Sequence, residues 1–138
     1  MSPLEGKIAE ALADSTVPLA SAYLYGSQAE GRAHRESDVD VGILLARSGA
    51  GTAQDRFERR VRLTSLLMER LHTDGVDVVI LNEAPPLLGR RIVTRGRRVL
   101  CNDAEADHAY VRDVQLRAAD LEPFLRRTAR TKLASIGR

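Results

Sequence analysis

Residues 38–45 carry the strongest structural signal in this chain, because acidic and apolar side chains alternate there with a period of two. The run is Asp-Val-Asp-Val-Gly-Ile-Leu-Leu, and such alternation predicts a half-buried β-strand. Side chains two residues apart on a strand point the same way, so Asp38 and Asp40 are expected on one face. Two neighbouring carboxylates repel each other unless a cation holds them. Mg²⁺ suits this role because it takes oxygen ligands together with waters and phosphate oxygens.

A Gly-Ser pair upstream supplies a second feature of the same region. Residues 19–25 form a small and apolar run that predicts a strand ending in Gly26-Ser27. Gly26 has no Cβ, so the backbone there can come close to a ligand. Ser27 can cap a short helix over residues 28–31, whose N-terminal amides and dipole favour an anionic phosphate. The pair therefore predicts a phosphate-binding turn.

A third acid, Asp77, interrupts the apolar run 76–81, which predicts another short strand. An unpaired buried carboxylate is costly, so Asp77 is expected to have a partner. If its strand lies beside that of Asp38 and Asp40, the three carboxylates form one cluster. Such a cluster can hold two divalent ions about 3.5–4 Å apart, the arrangement used for in-line displacement at phosphorus.

The remaining pattern predicts the class of fold. Helices are expected over residues 3–14, 54–72 and 86–94 and from residue 103 onward, a strand at 98–101 and a flexible connector at 48–52. Pro123 should kink or divide the last helix. On the long helix an apolar stripe predicts core packing, formed by Phe57, Val61, Met68 and Leu71. The order of elements predicts an α/β (α+β) fold with a small mixed sheet flanked by helices. A length of 138 residues fits one domain, 1–138, with a basic helical C-terminal tail from about residue 104.

Composition excludes several classes of protein. No apolar run approaches the length of a membrane helix, and the segment 1–5 lacks the basic and apolar regions of a signal peptide. The single cysteine, Cys101, is typical of a reducing compartment, so a cytoplasmic location is expected. The net charge of +2 and an aromatic content of 4% argue against direct binding of nucleic acid.

At these residues the chain resembles the nucleotidyltransferase superfamily with the DNA polymerase β-type catalytic fold. The pattern is Gly-Ser, ten residues, then Asp-x-Asp, and Gly26-Ser27 with Asp38-x-Asp40 satisfies it without gaps. Gly31 and Ser37 fall where the extended pattern has them. More narrowly, the chain is similar to the minimal nucleotidyltransferase (MNT) antitoxins that pair with HEPN-domain toxins in bacterial toxin–antitoxin modules.

The resemblance implies Mg²⁺-dependent transfer of AMP from ATP to a tyrosine hydroxyl on a partner HEPN ribonuclease, which silences the toxin. It implies that Gly26 and Ser27, with Ser37, bind the nucleotide, and that Asp38 and Asp40 ligate Mg²⁺. Asp77 would ligate the second of two ions or take the proton of the acceptor as a general base. Gln28 stands where many relatives have a basic residue, so Arg32 and Arg35 are expected to take over the contact with phosphate.

Two other functions stay open at this point. One is a non-catalytic antitoxin that neutralises its toxin by contact alone. The other is a small-molecule nucleotidyltransferase of the antibiotic-modifying type, a class that usually carries an additional helical domain to shape its acceptor pocket. The Arg-rich tail is most simply a solvated helix face, with a partner-binding surface as the second interpretation.

Overall fold

Four strands form one mixed sheet in the computed structural model, which describes residues 1–29 and 38–136. The strands are β1 (Leu19–Tyr25), β2 (Val39–Leu45), β3 (Val76–Ile80) and β4 (Arg97–Cys101). Across the sheet they lie in the order β3-β2-β1-β4. β1 is antiparallel to β2 and to β4, whereas β2 and β3 are parallel. The predicted fold class, a small mixed sheet flanked by helices, is confirmed.

The helices follow the predicted order with two differences. They are α1 (Pro3–Ala13), α2 (Arg47–Ala50), α3 (Ala53–Leu71), α4 (Pro86–Arg95) and α5 (Ala104–Ile136), with a short 3₁₀ helix at Leu81–Glu83. The flexible connector predicted at 48–52 is wrong in part, because its first residues belong to the helical turn α2. α5 continues through Pro123 as one helix and is not divided there.

The helices cover both faces of the sheet. α1 and α3 pack on one face and α4 and α5 on the other. The alternation in β2 sends Val41 and Ile43 into the α1/α3 side of the core, while Leu44 packs on the α4/α5 side. Because successive side chains of a strand point to opposite faces, Asp40 belongs to the α4/α5 face.

The apolar stripe predicted on α3 is wrong for its first two members. Phe57 is 50% exposed and Val61 48% exposed, whereas the fully buried residues are Leu63 and Leu67. Met68 and Leu71 pack only partly into the core. The predicted stripe left out Leu63 and Leu67. These two leucines lie at the centre of the apolar face of α3, and this is the part of the helix that packs into the core.

A glycine lets α4 lie close to the sheet. A Cβ on Gly42 of β2 would lie 2.9 Å from Cγ2 of the fully buried Ile92 on α4. Gly89, also on α4, lies against the ring of Tyr110 on α5 in the same way. The spacing between α4 and the sheet therefore depends on the missing side chain at Gly42.

A buried carboxylate fastens α5 to the sheet. Asp107 is 1% exposed and accepts hydrogen bonds from the hydroxyls of Ser21 and Tyr23, each at 2.6 Å. The Arg98 guanidinium donates to its other oxygen at 2.9 Å. Burial alone would raise the pKa of Asp107, but these three hydrogen bonds outweigh burial and hold the pKa below its ordinary value.

Among residues 1–29 and 38–136, no helix combines the length and the apolar character needed to cross a membrane.

Candidate active site

Two of the predicted site carboxylates are direct neighbours on adjacent strands. In the parallel register Asp40 of β2 pairs with Asp77 of β3, and paired residues of neighbouring strands present their side chains on the same face. Burial raises the pKa of Asp40, and the charges of Asp77 and then Asp38 raise it further. The charges of Asp77 and Asp38 therefore both reach Asp40, as expected for neighbouring carboxylates.

The surroundings of Asp77 differ from those predicted. The residue is exposed rather than buried, and β3 lies at the edge of the sheet. The predicted burial of Asp77 is therefore wrong. Its position beside the strand of Asp40 agrees with the prediction.

Asp38 lies just before β2 and is exposed. Its Oδ1 would be 2.9 Å from a Cβ on Gly75, in the turn that leads into β3. The backbone N–H of Val39 donates to the carbonyl of Gly75 at 2.7 Å. These contacts bring the start of β2 and the start of β3 to the same end of the sheet.

Gly26 closes this end of the sheet from the side of β1. It has φ +75, a conformation that residues with a Cβ rarely adopt. A Cβ at this position would overlap Oδ2 of Asp40 and lie 3.3 Å from its Cγ. Residues 26–29 form a turn in which Ser27 is half-buried. The glycine is therefore required both by the turn and by the space that Asp40 occupies.

Replacing Gly26 by alanine should lower the free energy of unfolding by about 1–2 kcal/mol, from the positive φ and from the overlap with Asp40. The matched control is Gly6→Ala in α1, where a new Cβ meets nothing within 4 Å. Since alanine is the better helix former, that variant should gain up to about 1 kcal/mol. Urea denaturation of both variants measures the difference. Equal stability of Gly26→Ala and the wild type would contradict this account of the turn.

Tyr25 is a site residue that the sequence reasoning missed. It is the last residue of β1 and pairs with Asp40 across the sheet. Burial, then the charges of Asp40 and Asp77, raise the pKa of its phenol to about 12, while Arg91 opposes the shift. The phenol is therefore neutral and close to both carboxylates. Its place directly before the Gly-Ser pair is the one signal that could have indicated it.

Two predicted nucleotide-binding residues, Arg32 and Ser37, lie outside the described residues, as do Gly31 and Arg35. The predicted helix at 28–31 extends into the same segment, and its described part belongs to the turn at 26–29.

The carboxylates do not form a closed metal cage. Within the described parts of the chain, no three His, Cys, Asp or Glu side chains stand close enough together to hold a metal ion. Their chemistry nevertheless fits Mg²⁺, which keeps several waters and substrate phosphate oxygens and needs only one or two protein carboxylates. The repulsion that raises the pKa of Asp40 is also the repulsion that a bound cation would relieve.

Sequence comparison gives two matches. A family model described as polymerase beta nucleotidyltransferase matches residues 6–105. The protein adenylyltransferase MntA of Shewanella oneidensis is 35% identical over 95 residues, which are 69% of this chain and 63% of the relative. The chain thus spans less than two thirds of the length of that relative.

Structure comparison finds toxin–antitoxin complexes. A crystal structure of a toxin–antitoxin with AMP-PNP contains a chain with a TM-score of 0.69 and 25% identity, over 97% of this chain and 98% of the other. The complex of tri-AMPylated Shewanella oneidensis HEPN toxin with MNT antitoxin gives 0.63 and 21% identity, over 98% and 97% of the two chains, and this second match supports the fold alone. Because the family model covers most of the residues, from α1 into the start of α5, the chain belongs to the polymerase beta nucleotidyltransferase family.

Proposed function

We propose that this protein is an antitoxin of the nucleotidyltransferase type, which uses Mg²⁺ to transfer AMP from ATP to a tyrosine hydroxyl of a HEPN ribonuclease toxin. The observation that carries the proposal is the pairing of Asp40 with Asp77 in register, on a face bounded by the tight turn at Gly26. The relative named protein adenylyltransferase and the similar toxin–antitoxin structure with AMP-PNP supply the substrate and the class of partner. We also propose a cytoplasmic location, in keeping with the single cysteine.

Mg²⁺ would be held by Asp38 and Asp40, and Asp77 would either ligate a second ion or act as the general base. When bound, the metal neutralises the charge that develops on the phosphates and on the leaving group. The carboxylates supply the oxygen ligands and fix where that positive charge sits. The turn at Gly26 and Ser27 lets the backbone approach the triphosphate, because no Cβ stands in the way.

The reaction transfers one group. The tyrosine oxygen of the acceptor forms a bond to the α-phosphorus of ATP, the bond from that phosphorus to the bridging oxygen breaks, and pyrophosphate leaves. The acceptor loses its phenolic proton in this step, and the exposed carboxylate of Asp77 would take that proton where it serves as the base rather than as a ligand. Positioning of acceptor and nucleotide supplies most of the remaining rate, as is usual for chemistry at phosphorus.

The experiment first looks for a HEPN-domain protein in the neighbouring open reading frame and then incubates that protein with the purified antitoxin, ATP and Mg²⁺. Intact-mass measurement should show the toxin gaining one or more AMP groups and losing its ribonuclease activity. Chelation of the metal with EDTA should stop the gain, and added Mg²⁺ should restore it.

Other outcomes decide between this function and the two alternatives. A toxin that is neutralised without any gain in mass would indicate the non-catalytic antitoxin. Transfer of AMP to an aminoglycoside but not to the toxin would indicate a small-molecule nucleotidyltransferase. Either result would overturn the proposal.

A further inference from the structure

The C-terminal end of α4 lies against the same end of β1 as the candidate active site. A Cβ on Gly96, the residue that ends α4, would lie 2.9 Å from the carbonyl oxygen of Leu24 and 3.3 Å from Cβ of Tyr25. Tyr25 in turn pairs with Asp40. The C-terminal end of α4 therefore lies against the end of β1 that pairs with Asp40 and leads into the turn at Gly26.

The outer face of these turns is basic. Arg91 and Arg95, one helical turn apart, are both exposed. With Leu87, Arg90 and Thr94 they line an open groove of about 540 Å³, which is within the size range of small-molecule sites. Among the described residues that line the groove, the arginines are the only ones with a charged side chain.

The three arginines of the groove differ in their partners. Arg90 forms an ion pair with Glu122 of α5. Among residues 1–29 and 38–136, neither Arg91 nor Arg95 forms an ion pair with a carboxylate. These two guanidinium groups therefore keep their hydrogen-bond donors available for an anion.

Arg91 also acts on the site electrostatically. Besides burial, the charges of Asp40 and Asp77 raise the pKa of the Tyr25 phenol, and the opposite charge of Arg91 lowers it. This one hydroxyl is thus within electrostatic reach of two of the three candidate metal ligands, Asp40 and Asp77, and of the Arg91 guanidinium. Arg91 therefore belongs to the surroundings of the site as well as to the groove.

A triphosphate that approaches this site needs positive charge from the protein. The exposed carboxylates Asp38 and Asp77 repel it, and the stretch 25–29 contains no cationic side chain. Arginine is suited to the task because its planar guanidinium donates two parallel hydrogen bonds to a phosphate. The outer face of α4 is the adjoining basic surface on which two such groups are unpaired within the described residues.

We propose that Arg91, assisted by Arg95, binds the phosphates of the nucleotide in the groove of α4 beside the carboxylates. This assignment rests on the proposed function, since it requires a nucleoside triphosphate as substrate. It identifies a phosphate-binding side chain outside the Gly-Ser turn, on a helix that follows the third acid in the chain.

The test is calorimetric titration of AMP-PNP and, separately, of adenosine into wild-type protein and variants with Mg²⁺ present. Arg91→Ala should weaken binding of AMP-PNP about tenfold, the loss expected for a charge-assisted hydrogen bond, and leave binding of adenosine unchanged. Arg91→Lys keeps the charge but not the paired donors, so it should give a smaller loss. The control is Arg62→Ala on α3, on the other face of the sheet, which removes the same charge from an exposed site and should change neither affinity. Thermal melting of each variant checks that it is folded.

Each result bears on a separate claim. If wild-type protein binds AMP-PNP and Arg91→Ala binds it equally well, the assignment of Arg91 is overturned while the proposed function stands. Equal losses in Arg91→Ala and Arg62→Ala would mean general attraction by net charge, and equal losses of adenosine and AMP-PNP would mean contact with the nucleoside; both overturn the assignment. If wild-type protein binds no AMP-PNP, the proposed function fails and this assignment fails with it.

Discussion

Replacing Asp40 by asparagine will reduce transfer of AMP by roughly 1,000-fold or more, while the folded protein becomes no less stable. The loss of rate follows because a neutral amide is a poor ligand for Mg²⁺ in a site that depends on charge neutralisation. Stability is expected to hold or rise because burial and the charges of Asp77 and Asp38 raise the pKa of Asp40. At a pH above the pKa of an unfolded carboxyl, the negative charge of Asp40 therefore destabilises the folded state. Asparagine carries no charge and removes this destabilisation.

Rates of toxin modification and a thermal melt measure the two effects on the same sample. The matched control is Asp113→Asn on α5, an exposed carboxylate that faces Arg117 at 3.6 Å, where the same change of charge should leave the rate intact. A variant at Asp40 that kept a tenth of the wild-type rate would contradict the role given to this carboxylate. A variant that lost both activity and fold would instead contradict the electrostatic account of its stability.

The largest effect on stability is expected at Asp107. Replacement by alanine should cost about 3–5 kcal/mol, the range found when one partner of a buried ionic network is removed. The change leaves two buried hydroxyls, those of Ser21 and Tyr23, without the acceptor that they now share. The same change removes the carboxylate that forms an ion pair with Arg98. Denaturation in urea, with AMP-PNP binding as a test of residual fold, measures the loss.

Lowering the pH should remove the contribution that the same carboxylate, Asp107, makes to stability. The pKa of Asp107 is lowered in the folded protein, so its contribution to stability is present above the unfolded carboxyl pKa of about 3.9 and is lost as the pH falls through the lower folded value. The difference in unfolding free energy between wild type and Asp107→Asn should therefore be constant near neutral pH and shrink below about pH 4. A difference that does not depend on pH would show that the charge of Asp107 plays no part.

Tyr23→Phe, which removes one of the hydrogen-bond donors to Asp107, should lower the free energy of unfolding by only about 1 kcal/mol.

The parts of this fold that follow from local periodicity could be predicted. The alternation in 38–45 predicted strand β2, which carries Asp40 and follows directly after Asp38, and the apolar run 19–25 predicted strand β1. The neighbouring position of the strand of Asp77 was offered as a condition, and the parallel pairing of β2 with β3 meets it. In each case the signal lies within a few residues of chain.

The parts that were missed depend on residues distant in sequence. The exposure of Asp77 depends on β3 being an edge strand, which an apolar run of five or six residues does not reveal. The partners of Asp107 lie 84 and 86 residues away in β1, so no local pattern could pair them. The basic groove beside the site likewise arises only because α4 ends against β1.

Because Gly42 has no side chain, a substitution there would change the position of α4 relative to the candidate active site. Because its α-carbon faces Ile92 of α4 at close range, an alanine there would act as a wedge and lift the helix from the sheet by a fraction of an ångström. The guanidinium groups on that helix would move with it, whereas the acids on the strands would stay in place. Side chains of increasing size at this one buried position would thus change the distance between the arginines of α4 and the carboxylates of the strands. Neither the arginines nor the carboxylates would themselves be replaced.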